Sequence, residues 1–153
     1  MILPGSRVLD VGAGSMKLRD HLPEGCFYTP LDVVARSPNT IVCDLNTEIP
    51  RLPQTDVAVL SGVLEYLEDF DTLLSRLYES TTYVVASYAM THGGSLRSRL
   101  RRCFQGWVNG YSLDHFLSVF LHHGFHCEET GVWYDQTLFR FRKMQIQSAF
   151  VRD

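Results

Sequence analysis

Val8-Leu9-Asp10-Val11-Gly12-Ala13-Gly14 is the stretch that decides the fold. Val8, Leu9 and Val11 form an apolar run suited to a strand buried on both faces. Gly12 and Gly14 then mark a turn whose backbone takes angles that other residues avoid and lets another group come close. Residues Met16 to Leu22 fit a short helix with Ser15 as its cap. A strand, a glycine turn and a helix start make a cradle for nucleotide-like ligands. The dinucleotide fingerprint needs a third glycine three residues after the second, and Lys17 stands there instead. A nicotinamide or flavin ligand is disfavoured on that ground. A glycine turn that binds nothing is the plain alternative.

At 153 residues, 45% hydrophobic and 20% charged, the chain suits one soluble domain with one core. A net charge of −3 gives no basis for general nucleic-acid binding. No stretch is long and apolar enough to span a membrane, and Met1 to Gly5 lacks the regions of a signal peptide. The reading is therefore a cytoplasmic protein. Cys26, Cys43, Cys103 and Cys127 are scattered without a Cys-x-x-Cys pair, so free thiols are expected and a zinc site is not.

Outward from the first unit, strand-like and helix-like segments alternate, as in an α/β domain with a mostly parallel sheet. Cys26 to Leu31 leads to Asp32, Thr40 to Cys43 leads to Asp44, and Asp56 to Leu60 leads to Ser61-Gly62. Thr82 to Tyr88 is the most β-prone run. Residues 63–79 read as helix, with Val63, Leu67, Phe70, Leu74 and Leu77 on one face and a break at Asp69 or Asp71. A second helix starts at Ser112, turns Leu113, Phe116, Leu117, Phe120 and Leu121 inward, and stops at Gly124. Phe125 to Val132 and Thr137 to Phe141 follow as an antiparallel pair. The link from Val33 to Asn39 holds Pro38 and is too short for an ordinary crossover helix.

Ligands of doubly wound sheets lie across the carboxyl ends of the strands. The positions to inspect are thus Gly12 and Gly14, Asp32, Asp44, and Ser61-Gly62. Asp32 lies 22 positions after Asp10, where an acid can accept hydrogen bonds from two ribose hydroxyls. A solvated turn aspartate is the competing account of Asp32, and ordinary turn chemistry that of Asp44.

The ordered set Asp10-x-Gly12-x-Gly14, Leu31-Asp32, Cys43-Asp44-Leu45-Asn46, and Asp56-Val57-Ala58-Val59-Leu60-Ser61-Gly62-Val63-Leu64-Glu65-Tyr66-Leu67 resembles the class I S-adenosylmethionine-dependent methyltransferases. Tyr66 replaces a frequent histidine of that family, and Met16 stands where it often has another glycine. Tyr111 to Phe125 is similar to the family's helix before its last two strands, so the resemblance covers roughly residues 6–143. It implies a three-layer Rossmann-like fold whose seven-stranded, mostly parallel sheet has an antiparallel last strand. A single domain over 1–143 follows, with 88–111 as a substrate-facing insertion and 144–153 as a tail.

The resemblance implies S-adenosylmethionine as cofactor. Gly12 and Gly14 would hold its methionine part with Asp10 helping from below. Asp32, with Val33 beside it, would take the ribose, Asp44 and Leu45 the adenine, and Ser61-Gly62 the wall nearest the sulfonium. Methyl transfer is an in-line displacement that positioning can catalyse, so no catalytic residue is named. The acceptor is read as a small molecule. Two other classes stay open: a non-catalytic methyltransferase-fold module of a larger protein, and a nucleotide-sugar or nicotinamide enzyme.

After the fifth strand come His92, Gly93-Gly94, Arg97, Arg99, Arg101 and Arg102. An arginine cluster suits phosphate or carboxylate, although a solvated basic helix explains it as well. His122, His123 and His126 sit around a helix end, where cation preference accounts for them without a metal. Glu65 reads as structural, and Tyr66 as a residue for the acceptor side.

Overall fold

The computed structural model describes residues 2–91, 102 and 104–145. Its frame is a seven-stranded sheet of order β3-β2-β1-β4-β5-β7-β6. Strands β1 (Arg7–Val11), β2 (Phe27–Asp32), β3 (Ile41–Val42), β4 (Thr55–Leu60) and β5 (Thr81–Tyr88) run parallel. Strand β7 (Gln136–Lys143) enters between β5 and β6 (Phe125–Trp133), antiparallel to both. The order reverses between β1 and β4, and a sheet of this type opens its ligand crevice at such a reversal.

The β6–β7 hairpin turns on Tyr134-Asp135, and Tyr134 takes φ 54°. A two-residue hairpin asks for such left-handed backbone because its twist then matches that of the strands. The short loop read from the sequence is thereby a tight turn at the same edge of the sheet as the carboxyl end of β5, since Tyr88 pairs with Thr137.

The two helices that lie wholly within the described residues share one face of the sheet. Helix α1 (Asp71–Ser80) buries Leu73, Leu74 and Leu77, and helix α2 (Leu113–His122) buries Phe116 and Phe120. They close over Leu9, Val11, Leu31, Leu60, Val84, Phe139 and Phe141. Phe120 stacks on Phe141 with ring centroids 4.0 Å apart. Each fully buried Leu or Phe of this set contributes ~1.5–3 kcal/mol relative to leaving it in water. Across the sheet, Val8, Val57 and Val59 are covered more thinly by Ile2, Leu18, Leu22 and Cys26.

Local chemistry redraws two expectations and refines two others. Ser15 caps no helix: Met16 sits at the start in left-handed backbone, φ 58°, without a side-chain cap, and a 3₁₀ turn (Lys17–His21) replaces the α-helix. The helix read over 63–79 divides into a 3₁₀ turn (Leu64–Tyr66) and α1, because Asp69 Oδ1 accepts the Asp71 N–H at 2.8 Å and starts α1 afresh. Leu67, Phe70, Leu74 and Leu77 are nevertheless buried, as the periodicity required. Leu113 and Leu121 are exposed, so the inward face of α2 is narrower than the pattern implied. Finally, the β2–β3 link is a run of turns, and only Ile41 and Val42 pair with β2.

Candidate functional site

The carboxyl ends of β1, β2 and β4 enclose a cavity of about 270 Å³. Gly12, Asp32, Val33, Asp44, Leu45 and Gly62 line it, six of the nine residues singled out in the sequence. The glycine loop is fastened to β2 by backbone bonds: Gly12 N–H and Ala13 N–H both donate to Leu31 O, at 2.8 and 3.0 Å. Gly12 has φ +72° and no room for a side chain, since a Cβ there would stand 2.5 Å from Val63 Cγ2. The missing side chain thus lets the 3₁₀ turn after β4 pack directly on the loop after β1.

Asp32 Oδ2 accepts the Gly14 N–H at 2.7 Å, and its Oδ1 accepts the Val34 N–H at 3.0 Å. Each oxygen keeps a second lone pair. The carboxylate is therefore held in place by protein while retaining capacity for two donors of a ligand. Gly14 itself reaches the cavity through this bond and is not on its wall.

Asp44 Oδ1 accepts the Asn46 N–H, closing a turn past β3. Asn46 then bridges two walls: its Nδ2 donates to Tyr66 O at 3.0 Å, and its Oδ1 accepts the Glu68 N–H at 2.9 Å. Leu31, Cys43, Asn46, Val63, Tyr66 and Leu67 complete the lining and were not assigned to the cofactor from sequence. Asn46 could have been found as the residue after Asp44-Leu45. Tyr66, read for the acceptor, borders this cavity and is 45% exposed. Among the described lining residues, Asp32 and Asp44 carry the only charges. Such a wall suits a cationic ligand.

Ser61 is exposed at the end of β4 and is not on the cavity wall. The neighbouring Gly62, φ +63°, is held by its N–H donating to Ser87 Oγ at 2.9 Å. Asp10 also lies off the wall. It is buried on the thinly covered side of the sheet, where Tyr28 Oη donates to its Oδ2 at 2.6 Å. Burial pushes the Asp10 carboxyl above its ordinary range, against the opposing pull of the Tyr28 hydrogen bond. Burial and the neighbouring carboxylate push the Tyr28 phenol up as well.

Beyond β5 a polar knot joins three segments. Asn109 Nδ2 donates to Leu64 O and Leu67 O, each at 2.7 Å, and Tyr88 Oη donates to Asn109 Oδ1. Arg102 donates to Ala89 O at 2.7 Å, to Asn109 O and to Tyr88 Oη, with its guanidinium over the Trp107 ring. Four of its five N–H donors are thereby spent inside the protein, which accounts for Arg102 without a bound anion. His92, Gly93, Gly94, Arg97, Arg99, Arg101 and Cys103 lie outside the described residues, as do residues 146–153 of the tail. Cys26, Cys43 and Cys127 are free thiols. Among the described residues no group of three His, Cys, Asp or Glu side chains comes together to hold a metal. His123 ends α2, and its Nε2 sits 2.9 Å from Asp71 Oδ1. No helix among the described residues is long and apolar enough to cross a membrane.

No family model matches the chain, and no curated protein matches it in sequence. Solved structures do match in fold. One is the 1,6-didemethyltoxoflavin-N1-methyltransferase of Burkholderia thailandensis, with 1,6-didemethyltoxoflavin and S-adenosylhomocysteine bound. It has TM-score 0.72 and 15% identity, over 93% of this chain and 72% of that one. Human N-acetylserotonin methyltransferase in complex with S-adenosylmethionine has TM-score 0.73 and 18% identity. The match covers 92% of this chain and 48% of the human one, so the chain spans about half that protein's length. An S-adenosylmethionine-dependent methyltransferase from Mesorhizobium loti has TM-score 0.70 and 16% identity, over 94% of this chain and 93% of that one. The strand order, the β7 insertion and these neighbours agree: the chain has the class I methyltransferase fold.

Proposed function

We propose that this chain binds S-adenosylmethionine and transfers its methyl group to a small-molecule acceptor. One observation carries the reading: the cavity at the β1/β4 reversal gathers Gly12, Asp32, Val33, Asp44, Leu45 and Gly62 on one wall. The residues fit the cofactor's chemistry. Asp32 offers one free lone pair on each oxygen to the ribose hydroxyls. Leu45, Val33 and Leu67 supply apolar contact for the adenine, and Asp44 an acceptor for its amino group. Gly14 fits the methionine end through the loop that Asp32 holds, Asp10 serves only from beneath the sheet, and Ser61-Gly62 fit the side toward the sulfonium.

The cofactor supplies an electrophilic methyl on a positively charged sulfur. The chain's part is to hold that group beside an acceptor and to exclude water, which supplies much of the barrier reduction in a displacement. The two carboxylates on the wall favour the charged cofactor over its neutral product.

A small acceptor is supported by the net charge of −3, which disfavours nucleic acid, and by fold neighbours whose named substrates are small molecules. Free thiols fit a reducing compartment. A second reading, a binding module without catalysis, draws on Met16 in left-handed backbone and on the thinly covered face of the sheet.

Calorimetric titration with S-adenosylhomocysteine, with NAD as control, tests the proposal. Saturable one-to-one binding of the former alone supports it. Binding of neither ligand overturns it, and binding of NAD alone points to the nicotinamide class.

A further inference from the structure

Glu65 is wholly buried, yet only one of its carboxylate oxygens is served. Oε1 accepts the Ala89 N–H at 2.8 Å and lies 3.5 Å from Gln136 Nε2, the outer limit of a hydrogen bond. Oε2 is buried and accepts nothing among the described residues, and the same holds for Gln136 Oε1. The contrast with the adjoining knot is sharp. There Asn109 donates both amide hydrogens and accepts the Tyr88 hydroxyl, and Arg102 spends four of its five donors on Ala89 O, Asn109 O and Tyr88 Oη. Two acceptors left without a donor beside so complete a network each cost on the order of 1–3 kcal/mol.

The pair's location gives the imbalance a use. Glu65 belongs to the Leu64–Tyr66 turn, whose next residue, Tyr66, lines the cofactor cavity. Gln136 opens β7 at the carboxyl edge of β5, directly after the hairpin turn. It is half-buried, and the hairpin tip before it exposes Trp133 and Tyr134. Gln136 thus stands between a buried carboxylate and an aromatic, solvent-facing tip, tied to Glu65 by one long contact.

Resting on the methyltransferase reading, the geometry points to Glu65 and Gln136 as the recognition pair for the methyl acceptor, taking an amine or hydroxyl donor attached to a planar ring. The donor satisfies Glu65 Oε2 and Gln136 Oε1, while the ring has Tyr66 and Trp133 as aromatic surfaces.

The test starts with S-adenosylhomocysteine, whose binding reads the cofactor cavity alone. The saturated protein is then titrated with 2-naphthol and 2-methylnaphthalene, rings of similar shape of which only the first carries a donor. Wild type is expected to bind 2-naphthol at least about tenfold more tightly. In E65Q the new amide keeps an oxygen for the Ala89 N–H and turns its own donor to Gln136 Oε1, filling the pair from within. That variant is expected to unfold at or above the wild-type temperature and to show a preference below about twofold. Q136L serves as the second variant and should reduce the preference in part. Equal affinity for the two rings in wild type overturns the pair, and that is the result if it holds only a buried water. A preference that survives in E65Q overturns it as well. Failure to bind S-adenosylhomocysteine sinks the cofactor reading instead, and the naphthol comparison on the unliganded protein still reads the pair.

Discussion

The Gly14 N–H donates to Asp32 Oδ2 at 2.7 Å, which ties the loop leaving β1 to the acid that ends β2. One carboxylate therefore organises the loop and presents lone pairs to the cavity. A ligand that uses Asp32 meets a group already oriented, so little rotamer entropy remains to be lost on binding.

Asp32→Ala removes the bonds to the Gly14 and Val34 amides together with the proposed ribose contact. Affinity for S-adenosylhomocysteine should fall by about 1.5–3 kcal/mol per lost charge-assisted bond, read by calorimetry. Unchanged affinity would remove Asp32 from the site.

The two loop glycines should respond differently to alanine. At Gly12 the new Cβ meets Val63 at 2.5 Å, so Gly12→Ala is expected to lower the unfolding temperature and affinity together. At Gly14, φ +50°, the closest atom is Gly12 O at 4.0 Å, so Gly14→Ala carries only backbone strain, about 1 kcal/mol. Equal losses of stability in the two variants would contradict the packing of Val63 on Gly12.

Met16 adopts left-handed backbone, φ 58°, where a glycine would be unstrained. Met16→Gly should stabilise the fold by up to about 1 kcal/mol, because relief of strain outweighs the added freedom of the unfolded chain. Met16→Ala keeps the strain and should give no gain. Thermal unfolding of the two variants side by side decides it.

Burial holds the Asp10 carboxyl above its ordinary range, so its protonated form is favoured in the folded state. Its contribution is fully present below the unfolded value and is lost as pH rises through the folded one. Asp10→Asn cannot lose that proton. Its unfolding temperature relative to wild type should therefore rise as pH increases from acid toward neutral, and a difference that stays flat with pH would refute the assignment. Arg7–Asp56 works in the opposite sense: hydrogen bonds from Arg7 hold Asp56 low, and that stability fades as pH falls through its folded value. The pair is exposed and screened by solvent, so Asp56→Asn should lower the unfolding temperature only slightly, and less still at high salt.

Much of this was legible in the chain. Val8 to Val11 and Asp56 to Leu60 are buried strands because their apolar residues serve both faces of a sheet. Gly12 and Gly62 after those strands, Asp32 at the end of β2 and Asp44 just past β3 line the cavity because parallel strands bring their carboxyl ends to one edge. Local competition was harder to read. The break at Asp69 or Asp71 was legible, but the bond that makes it, from the Asp71 N–H to the Asp69 side chain, is one that no hydrophobic period registers. Asn46 was read only within the Asp44-Leu45-Asn46 segment, because both partners of its side chain, at Tyr66 and Glu68, lie some 20 positions away.

By itself the sequence determined the order of acids and glycines along the strands, the α/β class and six of the residues that line the cavity, since these follow from period and turn chemistry. Tertiary structure alone decided where each side chain spends its hydrogen bonds. Asp10 turns away from the cavity to Tyr28, Arg102 closes on Ala89, Tyr88 and Asn109, and Glu65 is buried with an oxygen to spare. The reason is physical: a polar group buried by distant segments must find its partner among whatever those segments bring, and spacing along the chain does not record that choice.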